Sequence, residues 1–152
     1  MEVFRLAREK HSAVLSGVGA AIKGARWNSM GVEIIYTACN RSLAMAEVAV
    51  HFTLASLPRD YVMMTIFIPE SISLARVNQG DLQAGWNVFP HPKSAQEIGD
   101  RFVRENKYCV LQAPSAVTQG DFNLLINPYH PEFPSIKIIS VDKFPFDNRI
   151  FR

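Results

Sequence analysis

Strand-like apolar runs outnumber helical ones along this chain, and they are not regularly separated by helices, an order that disfavours a doubly wound parallel sheet. Residues 3–7, 32–38, 61–68, 108–113, 122–126 and 136–141 each read as a strand, with Pro69 and Pro114 closing two of them. Helices are expected from about residue 42 to 57, stopped by Pro58, and from 95 to 105, where Ser94-Ala-Gln-Glu97 matches a capping box and Ile98 and Phe102 would face inward. Residues 16–24, rich in Gly and Ala, read as a loop or short helix. Residues 78–92 turn to Gly, Asn, Gln and Pro, the mark of a long surface loop. The pattern predicts an α+β fold: a single compact domain, 1–152, with mixed or antiparallel sheets and few helices. It contains no internal repeat, low-complexity segment, G-x-G-x-x-G or phosphate-loop motif.

Charge narrows the function. Sixteen basic residues stand against 14 acidic ones without a long basic run, which argues against a protein that lives on nucleic-acid electrostatics. The N-terminus alternates charged and apolar residues rather than forming a secretory signal, and no apolar run reaches membrane-spanning length, so a cytoplasmic protein with no membrane contact is expected. Cys39 and Cys109 lie far apart, without metal-ligand spacing, and read as reduced, mostly buried thiols. Asn127-Pro-Tyr-His130-Pro offers one imidazole among prolines, so a rigid turn is expected and no metal is assigned. Glu132 and Asp121 read as solvated turn residues.

Two segments invite chemistry. Residues 42–55 form an apolar helical run with one formal charge, Glu47, on a face shared with Leu43, Val50 and Leu54. A carboxylate there is costly unless it is paired or put to use, and the run leaves both roles open: a structural Glu satisfied by His51 or a distant Arg, or a working group. A lone His on an apolar face reads first as a satisfied core residue. Upstream, the glycine-bracketed loop 24–31 sets Arg26 beside Trp27; guanidinium suits phosphate oxygens and indole offers a stacking face.

Read in order, Gly24-Ala-Arg26-Trp-Asn-Ser29, Ile34-Ile-Tyr36-Thr-Ala38, Ser42-Leu-Ala-Met-Ala-Glu47-Val-Ala-Val-His51, Ala113-Pro-Ser115-Ala-Val117 and Asn127-Pro-Tyr-His-Pro-Glu-Phe133 resemble the RES domain, named for its Arg, Glu and Ser. The resemblance spans nearly the whole chain. It implies an ADP-ribosyltransferase-like fold and cleavage of the nicotinamide–ribose bond of NAD, with phosphate, water or a protein side chain accepting the ADP-ribose. It also implies the toxin of a bacterial toxin–antitoxin pair, arresting growth by NAD depletion. Its partner would be a helix-turn-helix (Xre-type) antitoxin, through which alone it would meet nucleic acid, with a homodimer within the complex as a further candidate. NAD is then substrate rather than cofactor, and inorganic phosphate a candidate co-substrate. The rival readings are modification of a protein target and an inactive RES-fold interaction module. Met30 stands where the family commonly has Pro, and Cys39-Asn-Arg41 is less typical.

The residues fit one task. Cleavage passes through an oxocarbenium-like state, and nicotinamide leaves neutral, so no strong acid is needed. Arg26 would bind phosphate oxygens. Glu47, held ionised by its partners, would hydrogen-bond the ribose hydroxyls and stabilise the cation. Tyr36, two positions from an inward Ile34, would stack on or orient nicotinamide, with Trp27 as a second aromatic surface. Ser115 would bind ligand or position the acceptor; no nucleophile elbow surrounds it. Trp86 either packs over the site or anchors its loop.

Overall fold

Alternation along β1 (Glu2–Arg8) sends Val3 and Ala7 into one buried cluster and Phe4 and Leu6 into another, so this strand carries core on both faces. The computed structural model, which describes residues 1–151, continues with α1 (Val18–Lys23), β2 (Ile35–Ala38), α2 (Arg41–Ala49), β3 (Tyr61–Phe67), β4 (Leu74–Arg76), α3 (Lys93–Glu105), β5 (Val110–Pro114), β6 (Phe122–Ile126) and β7 (Lys137–Lys143). The strands form one seven-stranded sheet in the order β4-β5-β6-β2-β1-β3-β7. Only β4 and β5 run parallel. The α+β expectation of few helices on a mixed sheet is met.

One joint decides where a site can form. β1 pairs with β2 through a single residue pair, Phe4 with Ala38, whereas β1 pairs with β3 along seven positions and β2 with β6 along four. The sheet is thereby two leaves. Between them lies a core of Val3, Ile35, Met64, Ile66, Val110, Leu124 and Ile126. The outer face of β5 and β6 is covered by α3 and the Trp27 and Trp86 loops; the outer face of β1 and β3 is covered by α2.

Several boundaries differ from expectation for local reasons. α2, capped by Asn40, whose Oδ1 accepts from Leu43 N at 2.8 Å, stops at Ala49 rather than near residue 57. Beyond it the chain stays apolar but finds no surface: Val50 is 60% exposed and Leu54 54%, so the face expected to run through Leu43, Val50 and Leu54 is core only at Leu43. The capping box expected at Ser94 is absent. α3 begins at Lys93 behind Pro92, without a side-chain cap, and Ser94 lies inside the first turn. β4, three residues long, has too little pattern to be seen in the sequence. Phe102 is buried and Ile98 packs beside it as expected. At Gly99 a methyl group would run into the Trp27 carbonyl, so this glycine lets α3 rest directly on loop 24–31. Among the described residues no helix is long and apolar enough to cross a membrane.

Candidate active site

Where β1 and β2 part beyond Phe4 and Ala38, a cleft of about 500 Å³ opens, floored by Thr37 and Asn123 and walled by α1 and α2. Tyr36, Glu47 and His51 line it, as do two cations, Arg5 and Lys23. A slightly larger cleft, about 550 Å³, lies between α3 and residues 81–86, but it includes none of Arg26, Tyr36, Glu47 and Ser115, of which Tyr36 and Glu47 line the first.

Helix α2 presents Glu47 to the cleft because Leu43 and Ala44, one turn earlier, anchor it on β1 and β2. The carboxylate is met from the far leaf. Ser115 Oγ donates to Glu47 Oε1 at 3.2 Å, and the Asn123 amide, which donates to the Thr37 carbonyl at 3.3 Å, lies near enough to favour the ionised carboxylate. Ser115 is 5% exposed, and its Oγ accepts from Val117 N and Thr118 N, each at 3.0 Å. Its hydroxyl is therefore occupied: in this structure it positions Glu47, where the sequence reading had it touching ligand or acceptor. Asn123 was missed, although a lone amide in the apolar run Phe122-Asn-Leu-Leu-Ile126 is the kind of signal that could have found it.

Burial raises the Glu47 pKa above its ordinary value, and the Asn123 amide and the Ser115 hydroxyl, with the charges of Arg26 and His51, only partly oppose that rise. The partners expected to hold the carboxylate ionised do act in that direction, and burial outweighs them. A carboxyl whose pKa is higher folded than unfolded keeps its proton to higher pH in the native state, so stability declines as pH rises from the unfolded carboxylate value through the raised native one. Glu47→Gln removes that penalty. Its Tm is expected to exceed the parent's at neutral pH and to converge with it below the unfolded carboxylate pKa. A Tm difference that stays constant with pH would show that burial of this charge costs the fold nothing.

Loop 24–31 is a knot of hydrogen bonds. Asn28, fully buried, donates through Nδ2 to the carbonyls of Ala20 (2.9 Å), Ser29 (3.2 Å) and Val32 (2.9 Å). Tyr36 Oη donates to Asn28 Oδ1 at 2.6 Å and accepts from Trp27 N at 3.0 Å. Asp100 on α3 receives both Ser29 N and Oγ. Tyr36 therefore does two things: its hydroxyl ties the loop down, and its ring forms part of the cleft wall; burial holds the phenol far above its ordinary pKa, so it stays a donor.

Trp27 is 1% exposed, its ring 5.8 Å from that of Trp86 in the core beneath α3. It offers no open face to a ligand, and its assignment as a stacking surface is corrected: the indole is a peg that seats the loop. Trp86 is likewise an anchor. Arg26 is half-buried and does not itself line the cleft; its Nη1 donates to the carbonyls of Trp86 (2.8 Å) and Val88 (2.9 Å), and its charge acts on Glu47. His51, expected in the core, is exposed at the cleft mouth. His91, from loop 78–92, stands close enough to Arg26 and His51 to feel both charges, which together with burial lower its pKa. Met30 is exposed.

Away from the cleft, Cys109, His130 and Glu132 come together, which their spacing did not suggest. Their groups already have partners or protons. Glu132 Oε2 accepts from Ser73 N (2.9 Å) and Oγ (2.6 Å), His130 Nδ1 accepts from Glu132 N (3.2 Å), and burial pushes the Cys109 thiol up to about 12. Glu132 is thus a tether for Ser73 rather than a purely solvated turn residue. Asp121, also expected to be solvated, accepts from Asn40 Nδ2 at 3.2 Å.

A family model described as RES domain matches residues 2–148. The chain is similar to a Prs ADP-ribosylating toxin of Sphingobium sp. (strain YBL2), 35% identical over 96% of this chain and 92% of the relative. It is also similar to a protein named Toxin Res of Pseudomonas putida, 33% identical over 91% of this chain and 94% of the relative. Among solved structures, the crystal structure of the M. tuberculosis MbcT–MbcA toxin–antitoxin complex contains a chain that superposes with a TM-score of 0.74 at 18% identity, covering 99% of this chain and 86% of that one, a likeness of fold.

Proposed function

The chain belongs to the RES domain family, and from that premise we propose that it is an NAD-consuming toxin that breaks the bond between nicotinamide and ribose. The observation that carries this reading is the half-buried Glu47 carboxylate in a cleft beside the Tyr36 ring, with the Arg26 charge acting on it. In the reaction the C1′–N bond breaks, its electron pair stays on the pyridine nitrogen, and nicotinamide leaves uncharged. The ribose carbon, now cationic, is captured by an oxygen of phosphate or water. Glu47 in its ionised form opposes the developing charge and accepts from ribose hydroxyls, Ser115 fixes the direction of its oxygens while Asn123 favours the charged form, and the Tyr36 ring orients nicotinamide. Arg26, whose Nη1 is held by loop carbonyls, contacts the phosphate nearest this ribose through its remaining N–H groups.

The test is incubation of purified protein with NAD, with and without inorganic phosphate, and identification of the products by mass. Nicotinamide with ADP-ribose 1″-phosphate indicates phosphorolysis, and nicotinamide with ADP-ribose indicates hydrolysis. A cognate helix-turn-helix antitoxin, added to the same assay, should cover the cleft and suppress both. Intact NAD throughout would overturn the reading. The name of the Sphingobium relative favours a second acceptor, a protein side chain, which the same incubation in a cell lysate reveals as ADP-ribosylated protein.

A further inference from the structure

Asn40, between β2 and α2, uses its side chain in two directions. Its Oδ1 accepts from Leu43 N at 2.8 Å, the cap of α2, while its Nδ2 donates to Asp121 Oδ2 at 3.2 Å. The partners fix which way the amide points, since a backbone N–H only donates and a carboxylate only accepts. Capping needs one acceptor, which a serine would supply; the arm to Asp121 is what asparagine adds. The same two segments are tied twice more, Cys39 N donating to the Phe122 carbonyl at 3.1 Å and Phe122 N to Cys39 Sγ at 3.4 Å. Asp121 in turn closes the loop that begins at Ser115: Ser115 N donates to the Asp121 carbonyl at 2.9 Å, and Asp121 N to the Thr118 carbonyl at 3.2 Å. Helix α2 therefore meets this loop at two points, through Asn40 at its start and, about two turns later, through Glu47 on Ser115 Oγ.

We propose that Asn40 is a positioning residue: clasped to Asp121, its amide sets where α2 holds Glu47 against Ser115, and hence where the carboxylate meets the substrate. This rests on the NAD reading above and adds to it the device that keeps the carboxylate in register with the far leaf. The rest of α2 is seated by Leu43, Ala44 and Val48, whose apolar contacts resist lifting but are non-directional and do not fix the helix along its own axis. The Ser115–Glu47 bond leaves little slack. At 3.2 Å it already exceeds the usual O–H···O span of about 2.5–3.0 Å, so a shift of α2 by about 0.5 Å would break it. The charges acting on Glu47 are those of Arg26 and His51, and Tyr36, Arg5 and Lys23 also line the cleft; Asp121 is not among the charges that act on it. A change at position 40 or 121 thus reaches Glu47 through the helix and Ser115.

Two readouts on the full chain test the clasp: NMR titration of the Glu47 carboxyl with isotope-labelled glutamate, assigned by the signal lost in Glu47→Gln, and the pH profile of NAD turnover. Asn40→Ser keeps an acceptor for Leu43 N and drops the arm to Asp121. It is expected to unfold near the parent's midpoint, while the Glu47 titration moves upward because the Ser115 bond that holds it down is weakened, and the acid limb of kcat/KM moves with it. At neutral pH kcat/KM should fall about three- to tenfold, the range for one ordinary hydrogen bond, with KM changed less than kcat. Asn40→Asp also caps the helix but sets a like charge against Asp121, and it should lose more. Combined with Asp121→Asn it exchanges donor and acceptor between the two positions, and both readouts should return to within about twofold of the parent. Should Asn40→Asp fail to fold, Asn40→Ser and the exchanged pair carry the same readouts. An unmoved Glu47 titration with full turnover in Asn40→Ser would make Asn40 a helix cap only and overturn the proposal, as would a loss in Asn40→Asp that the exchange does not recover. If NAD is cleaved but both readouts ignore position 40, the clasp falls and the NAD reading stands. If the Glu47 titration shifts and returns as expected while NAD is left intact, the clasp stands and the NAD reading falls.

Discussion

Glu47→Gln is expected to give a folded protein that still binds NAD and turns it over roughly a hundredfold or more slowly, the scale of removing one electrostatic contact made chiefly in the transition state. Gln fills the same space, can accept from Ser115 Oγ through its carbonyl, and leaves the α2 anchor residues Leu43 and Ala44 untouched. What it lacks is the negative charge that opposes the cation forming at the ribose. KM should therefore change little while kcat collapses, and cells producing the variant should grow and keep their NAD. The parent's kcat/KM should also show an acid limb displaced upward from that of an ordinary carboxylate, since burial raises the pKa of the group that must be ionised in the free protein. A Glu47→Gln protein that folds and keeps full activity would make the carboxylate a structural neighbour of Ser115 and Asn123. Collapse of activity together with unfolding would instead place Glu47 in the architecture of α2.

How much of this could be read from the residues depends on how local each cause is. The main strands follow from apolar runs bounded by breakers, because a strand's pattern is written within itself. The single Phe4–Ala38 pairing that splits the sheet is a relation between distant segments, and no local pattern encodes it. The helix of Glu47 was visible, but its length was not: composition stays apolar past Ala49, while the surface that would bury Val50 and Leu54 is missing. Glu47 itself stood out as the one charge in its run. Trp27 and Ser115 show the opposite limit. A motif fixes which residues stand together in sequence, yet whether an indole turns outward to a ligand or inward to the core depends on α3, some seventy residues away, whose Gly99 lets it close over the loop. Likewise Asn123, Arg5 and His91 reach the site from separate elements and carry no shared spacing.

Asn28→Ala should be the most damaging single change outside the cleft, because the amide is the centre on which loop 24–31 is wound. Its removal leaves the Val32 carbonyl with no other donor among the described residues and takes from the Tyr36 hydroxyl the acceptor 2.6 Å away. The Ala20 and Ser29 carbonyls fare better, since each also receives a backbone N–H, from Gly24 and Val32 respectively. Orphaning a buried polar group costs about 1–3 kcal/mol, so a loss of about 3 kcal/mol or more in denaturant unfolding is expected, enough to lower the midpoint clearly. The same change loosens Arg26, two residues upstream, and frees the Tyr36 ring from the bond that fixes its tilt. A displacement near 1 Å of such groups can lower kcat/KM by about a hundredfold. Asn28→Asp separates the two parts of the role: it restores an acceptor for Tyr36 but turns a carboxylate oxygen toward carbonyls that need a donor, so it should be no more stable than the Ala variant. If Asn28→Ala unfolds at the parent's midpoint, these hydrogen bonds do not hold the loop. If it is destabilised but fully active, Arg26 and Tyr36 keep their places by other means, with Asp100 on Ser29 as the remaining clasp.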